Sequence, residues 1–311
     1  MDTMNVLISL YKGYGLGDAV QMSAVLKHVV HERPHWKIDY QAEEGRYQVG
    51  NGIVANTFAY GRPYPSKHYD AEVQILLFDT WANWYDRPNT RVSSCLHERF
   101  GLGWKPEFGG YTVNVSDEAM DQAFVLIYGL ENTTKLGTKI KESRHCKRPV
   151  AIHYQGDSSP EKKNLDHETV YKVCCALEHM DCTPIILDWR NRSPLQEHRR
   201  ITTPSSWGAN AEMVCAVISQ CKAFVGIDSG PSKCASATNV PSMVVWTGHH
   251  PAPFHDPAPN TTHLVPHGYH NLTPVCNDPG VIKWFEANNN VIQYKFNMGD
   301  TIIDWLKEKL K

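Results

Sequence analysis

The chain has 311 residues, 31 of them Lys or Arg and 33 Asp or Glu, for a formal net charge of −2. That balance gives no broad field to attract nucleic acid or an anionic membrane, and the length exceeds what one hydrophobic core usually supports, so two domains of roughly 150 residues are expected. Nine cysteines, an odd number without a Cys-x-x-Cys pair, argue against a disulfide framework or a zinc site and read as reduced, mostly core thiols.

The N-terminal apolar run Val6-Leu7-Ile8 is too short for a secretory signal or a membrane span, so a cytoplasmic protein without stable membrane insertion is expected. Asn5 to Ser9 reads as a buried strand, residues 12–18 as a glycine loop and Ala19 to His31 as a helix, the opening of a doubly wound sheet. Further strands are expected over Lys37 to Tyr40, Gly52 to Phe58, Glu72 to Phe78 and Tyr111 to Val115, with a helix over Ser94 to Arg99. The polar, basic segment 130–148 reads as the connection between domains. A second strand-led register begins at residues 149–154 and continues through a helix over Asp166 to Met180, a strand over Pro184 to Asp188 and a helix over Ala209 to Gln220. The whole is an α/β chain of two doubly wound sheets facing one another. The expected division is 1–145, 146–300, and a terminal amphipathic helix in 301–311 that packs on the body.

The chemistry is expected in three loops at the carboxyl ends of strands. The stretch Phe224-Val225-Gly226-Ile227-Asp228-Ser229-Gly230-Pro231-Ser232-Lys233 reads as strand, tight turn and helix. Free backbone N–H groups at such a turn attract an anion, with Asp228 and Ser229 supplying side chains at the cap and Lys233 a full positive charge. In the loop Gly13-Tyr14-Gly15-Leu16-Gly17-Asp18, aspartate stands where a dinucleotide-binding turn has its third glycine, and a carboxylate there repels a pyrophosphate. This disfavours a nicotinamide-dependent oxidoreductase and leaves Asp18 as either a functional carboxylate or a plain helix cap. In Gly156-Asp157-Ser158-Ser159-Pro160-Glu161-Lys162-Lys163 the two lysines could neutralise a diphosphate leaving group or form an ordinary solvated charge pair. The histidine-rich segment from His249 and His250 through His255, His263, His267 and His270 to Cys276 could, with Asp256, bind a transition metal, but lacks a helical i, i+4 pair, and a polar lining of the donor cleft or a surface loop fits better. Trp81, Trp84 and Tyr85 could stack on a sugar or base, or cover a core.

Three blocks in order resemble glycosyltransferase family 9, the heptosyltransferase-like enzymes: Gly15-Leu16-Gly17-Asp18-Ala19 with residues 23–27; residues 152–156 leading to Lys162-Lys163; and residues 209–213 running into Val225-Gly226-Ile227-Asp228-Ser229-Gly230-Pro231. The resemblance spans most of the chain, and the Asp-Ser-Gly-Pro block is its most specific part. It implies a GT-B fold, with the acceptor on the first domain and a nucleotide-diphosphate sugar on the second, and inverting transfer without a metal or other cofactor. By position, Asp18 matches the family's general base on the acceptor-side loop that holds Gly15 and Gly17, and Lys162 or Lys163 matches the lysine that steadies the departing diphosphate. Gly156, Asp228, Ser229, Gly230, Pro231 and Lys233 fall in the donor-binding loops. The family's histidine after Gly-Pro-x is replaced here by Lys233, its usual Trp or Pro after the lysine by Asn164 and Leu165, and its Phe-Gly-Pro-Thr-Asp-Pro turn by residues 247–251. The acceptor is left open between a glycan such as a lipopolysaccharide core, a protein side chain and a modified DNA base. The rival of a different class is a nucleotide-sugar or phosphate-binding protein without turnover.

Overall fold

In the computed structural model, which describes residues 3–11, 13–61, 68–76, 91–128, 146–188, 192–195, 198–201, 210–272 and 278–311, Val6-Leu7-Ile8 forms the wholly buried centre of β1 (Met4–Leu10). β2 (Trp36–Ala42) and β4 (Ala71–Ile75) pair with β1 in parallel on either side, and β3 (Asn56–Ala59) adds to β2, so the order is β3-β2-β1-β4. A central parallel strand is covered on both faces, which is why it reads as a continuous apolar run rather than an alternating one.

The first helix, α1 (Leu16–Glu32), starts three residues before the predicted Ala19. Gly15 is its extended N-cap, and the Asp18 carboxylate reaches back to accept the Gly15 N–H at 3.0 Å, the return half of a capping box. Asp18 thus caps the helix from within its first turn. Ala19, Val20, Met22, Val25, Leu26 and Val29 supply the buried face.

Among the described residues the second sheet has seven parallel strands: β5 (Val150–His153), β6 (Pro184–Leu187), β7 (Arg199–Ile201), β8 (Ala223–Ile227), β9 (Ser242–Val245), β10 (Thr261–Pro266) and β11 (Asn290–Tyr294), in the order β11-β10-β9-β8-β5-β6-β7. The chain winds outward from β5 through β6 and β7, then returns to β8 and winds the other way. The switch of direction lies between β5 and β8, where the loops leaving the two strands diverge and open a crevice.

Between the first sheet and the second run α2 (Val92–Glu98) and α3 (Asp117–Tyr128); the second half adds α4 (Pro160–Lys163), α5 (His167–His179), α6 (Ala211–Ser219), α7 (Gly230–Ser236), α8 (Pro251–Phe254), α9 (Pro279–Asn288) and α10 (Met298–Lys309). Asp166 caps α5 by accepting from the Thr169 N–H at 2.7 Å, and Asn210 caps α6 through the N–H groups of Glu212 and Met213. The last helix, α10, lies against α5, burying Ile302, Ile303 and Leu306, and the Trp305 indole donates to Thr262 on β10. The halves meet where α1 lies on α7 and where α3 crosses to α6, with Ser116 bonded to Glu212 through both its N–H and its hydroxyl.

Two expected strands differ. Tyr111 to Val115 joins neither sheet; α1 side chains engage it at Thr112 instead, Ser23 Oγ accepting the Thr112 N–H at 2.9 Å and Lys27 Nζ donating to the Thr112 hydroxyl at 2.9 Å and to the preceding Gly110 carbonyl at 2.6 Å. The strand expected from Gly52 begins only at Asn56, since Gly52 adopts the left-handed conformation (φ +70°) and the chain turns there. The connection over 130–145, the aromatics Trp81, Trp84 and Tyr85, and Cys276 lie outside the described residues. Among the described residues no helix is long and apolar enough to cross a membrane.

Candidate active site

The loop from β1 into α1 and the loops leaving β5 and β8 face each other across the seam between the halves. The contact is close. A Cβ added to Gly230 would lie 2.6 Å from Leu16 Cβ and 2.9 Å from the Gly17 nitrogen, so only glycine fits at 230. The buried Lys233 side chain runs from α7 over Gly17, where a Cβ would sit 3.3 Å from its Cδ and 3.5 Å from its Nζ. Its ammonium therefore reaches the neighbourhood of Asp18, one residue further along α1.

Charges alternate across this seam. Burial pushes the Asp18 carboxyl above its ordinary value; Lys233 and the Gly15 N–H pull it down, Asp228 pushes it up, and Lys163 pulls it down. Burial also opposes ionisation of Asp228, but the hydrogen bond from His249, the Lys163 ammonium and Lys233 together hold it well below the usual carboxylate range. His249 Nδ1 lies 2.8 Å and Lys163 Nζ 3.0 Å from the same oxygen, Asp228 Oδ2. An ionised carboxylate only accepts, so His249 donates from Nδ1. Burial lowers the Lys233 ammonium, and Asp18 and Asp228 partly restore it.

Geometry separates the two candidate lysines. Lys163 faces the seam; Lys162 is exposed, and its carbonyl accepts from the Thr247 hydroxyl at 2.6 Å. Gly248 sits flush on Lys162, where a Cβ would come within 2.7 Å of the lysine's backbone oxygen. The turn 247–249 is thereby seated on α4, and this brings His249 and Lys163 onto one carboxylate.

The anion-holding turn differs from its expected form. The Ser229 hydroxyl does not cap α7: it donates to the Ile227 carbonyl at 3.1 Å and lies 3.0 Å from His153 Nδ1, so its single proton is used and His153 is the donor in that pair. His153 is buried, which lowers it to about 4 and keeps it neutral. Ser232 Oγ also donates to Ile227 O, and Pro231 brings no N–H. Gly156 lies at the carboxyl end of β5, its N–H taken by Asn164 Oδ1 at 2.8 Å. Asp18, Lys163, Asp228 and Lys233 thus come together, flanked by Gly15, Gly17, Ser229, Gly230 and Pro231, while Lys162 stands apart.

The histidine-rich segment disperses. His250 caps α8 by accepting from Ala252 N, His255 bonds Ser236 and the Asp256 carbonyl, and His263 accepts from the Trp246 indole at 2.9 Å. Among the described residues no three His, Cys, Asp or Glu side chains converge as a metal-binding group.

A second charged contact that the sequence did not suggest joins the halves beside α2. Arg91 forms a buried ion pair with Asp256, whose Oδ1 also accepts from Ser93 Oγ at 2.8 Å and whose N–H donates to Tyr111 OH at 2.8 Å. The guanidinium lies 4.0 Å from the ring centre of Trp104 in the first half and 4.5 Å from that of Trp284 on α9. Burial lowers Arg91 only to about 10, so it stays charged.

In sequence, no family model and no curated protein matches the chain. In structure, it resembles a glycosyl transferase family 9 protein from Veillonella parvula at a TM-score of 0.60 and 14% identity, over 92% of this chain and 97% of that one. Heptosyltransferase II of E. coli aligns at 0.54 and 11% identity over 99% and 98% of the two chains, and E. coli heptosyltransferase WaaC, solved with ADP, at 0.53 and 15% over 98% and 100%. At such identities the likeness concerns architecture, and over nearly the full length of both partners that architecture is the two-sheet GT-B fold of these heptosyltransferases.

Proposed function

We propose that this chain is a glycosyltransferase that moves a sugar from a nucleotide-diphosphate donor to an acceptor hydroxyl with inversion at the anomeric carbon, without a metal or other cofactor. The observation that carries this reading is the placement of Asp18 on the first half's loop opposite Lys163, Asp228 and Lys233 on the second. Single displacement needs a base on one face of the sugar and fixed positive charge on the other. Asp18 takes the proton from the acceptor oxygen as it attacks, and Lys163, with Lys233 nearby, meets the charge that grows on the departing diphosphate. Asp228, held ionised and oriented by His249 and Lys163, accepts from donor sugar hydroxyls. The shared architecture with WaaC, a structure that holds ADP, supports an adenine nucleotide as the first donor to try.

The test is a thermal-shift series with ADP-, UDP-, GDP- and CMP-sugars and with NADH, each with and without EDTA. A rise for one sugar nucleotide that EDTA leaves intact is expected. A rise with NADH alone, or with none of the sugar nucleotides, overturns the reading. Donor binding without transfer to any glycan, protein or nucleobase acceptor would instead favour a binding protein that lacks turnover.

A further inference from the structure

The family pattern that the sequence resembles has a histidine where this chain has Lys233, and the structure shows that lysine engaged at the seam. Its side chain leaves α7 and crosses bare Gly17, the residue before Asp18, and it is buried along that path. Around Asp18, the groups that bear on its charge are Lys233 from α7, Asp228 from the end of β8, Lys163 from α4, and the Gly15 N–H of its own loop. Tyr111, packed nearby, stays neutral because burial pushes its phenol up. Of these, Lys233 and the Gly15 N–H contribute most to favouring the charged carboxylate, and of those two Lys233 is the one from the opposite half, where Lys163 adds a smaller effect of the same sign.

We propose that Lys233 is a positioning residue for the base: reaching across Gly17 from the opposite half, it supplies the positive charge that Asp18 faces while the two halves are packed together. The proposal rests on the glycosyltransferase reading for its catalytic meaning.

Two measurements test it, one of which needs no turnover. Burial raises Asp18 above its ordinary 3.8. Between that value and the folded one, the native state keeps a proton that the unfolded chain has released. Stability is therefore fullest below the ordinary value and falls as pH rises through the interval. Removing the Lys233 charge should raise Asp18 further, so in Lys233→Met the fall in Tm extends about one pH unit higher. Lys233→Arg should follow the wild type, Lys233→Met/Asp18→Asn should lose the extension, and Lys233→Gln is the second neutral variant if Met does not fold. In kinetics, the acid limb of kcat/KM moves to higher pH by a similar amount in the neutral variants and returns in Lys233→Arg. If the neutral variants keep wild-type pH profiles in both measurements and only weaken ADP binding, Lys233 is a donor-phosphate ligand and the proposal fails. If wild-type protein binds no sugar nucleotide, the functional reading fails instead, and the stability profiles still decide whether Lys233 governs Asp18.

Discussion

Asp18 stands in the first turn of α1, where burial opposes its ionisation and Lys233, the Gly15 N–H and the helix dipole favour it. Asp18→Asn keeps an oxygen for the Gly15 N–H, so the helix should still start in place while the proton acceptor is lost. Turnover is expected to fall by about 10²-fold or more with nucleotide binding unchanged; steady-state kinetics beside a nucleotide titration check this, and full activity would remove Asp18 from the chemistry. Asp18 and the lysine pair were legible because each sits in a strand–loop–helix passage, where open sheets place functional groups. The choice of Lys163 over Lys162 was not, since adjacent residues on one turn of helix share every sequence signal and differ only in which way they face. Nor was the bond from His249 to Asp228, which depends on the turn 247–249 being seated on α4 by contacts across more than eighty residues.

Among the elements, the buried parallel strands β1, β5, β6 and β8 and helices α5 and α6 were readable to within a few residues, because continuous apolar runs and helical spacing report directly on burial. Tyr111 to Val115 misled for a physical reason: the Thr112 N–H donates to Ser23 and the Thr112 hydroxyl accepts from Lys27, and no pattern within five residues can announce partners that lie on a separate helix. The loop into α7 makes a sharper demand than sequence alone would suggest. Gly230→Ala forces a methyl against Leu16 and the Gly17 backbone, and should destabilise by about 1–3 kcal/mol. Gly17→Ala meets mainly the flexible Lys233 chain and should cost less. Urea denaturation of the two variants gives the comparison, and equal losses would show that the seam yields more readily than its contacts imply.

At the scale of the molecule, the two-sheet plan followed from the alternation of strands and helices and from length, while the contacts that hold the sheets together did not. Arg91 and Asp256 are 165 residues apart and nothing in the sequence pairs them, yet they form a buried ion pair with Trp104 and Trp284 against the guanidinium. Arg91→Met leaves Asp256 buried without its counter-charge and should cost about 3–5 kcal/mol, whereas Arg91→Met/Asp256→Asn should cost clearly less than the sum of the single changes. A double-mutant cycle by denaturant melts checks the coupling, and additive losses would mean that the pair does not act as a clasp between the halves.

The approach of Gly230 to the Gly17 nitrogen has one more consequence. Where side chains set a spacing, rotamer changes can blur it by an ångström; here the spacing is the thickness of two bare peptide backbones. That makes the glycine contact a gauge block beside the reacting groups: it fixes how near the backbones that carry Asp18 and Lys233 stand to one another, whatever the surrounding side chains are doing.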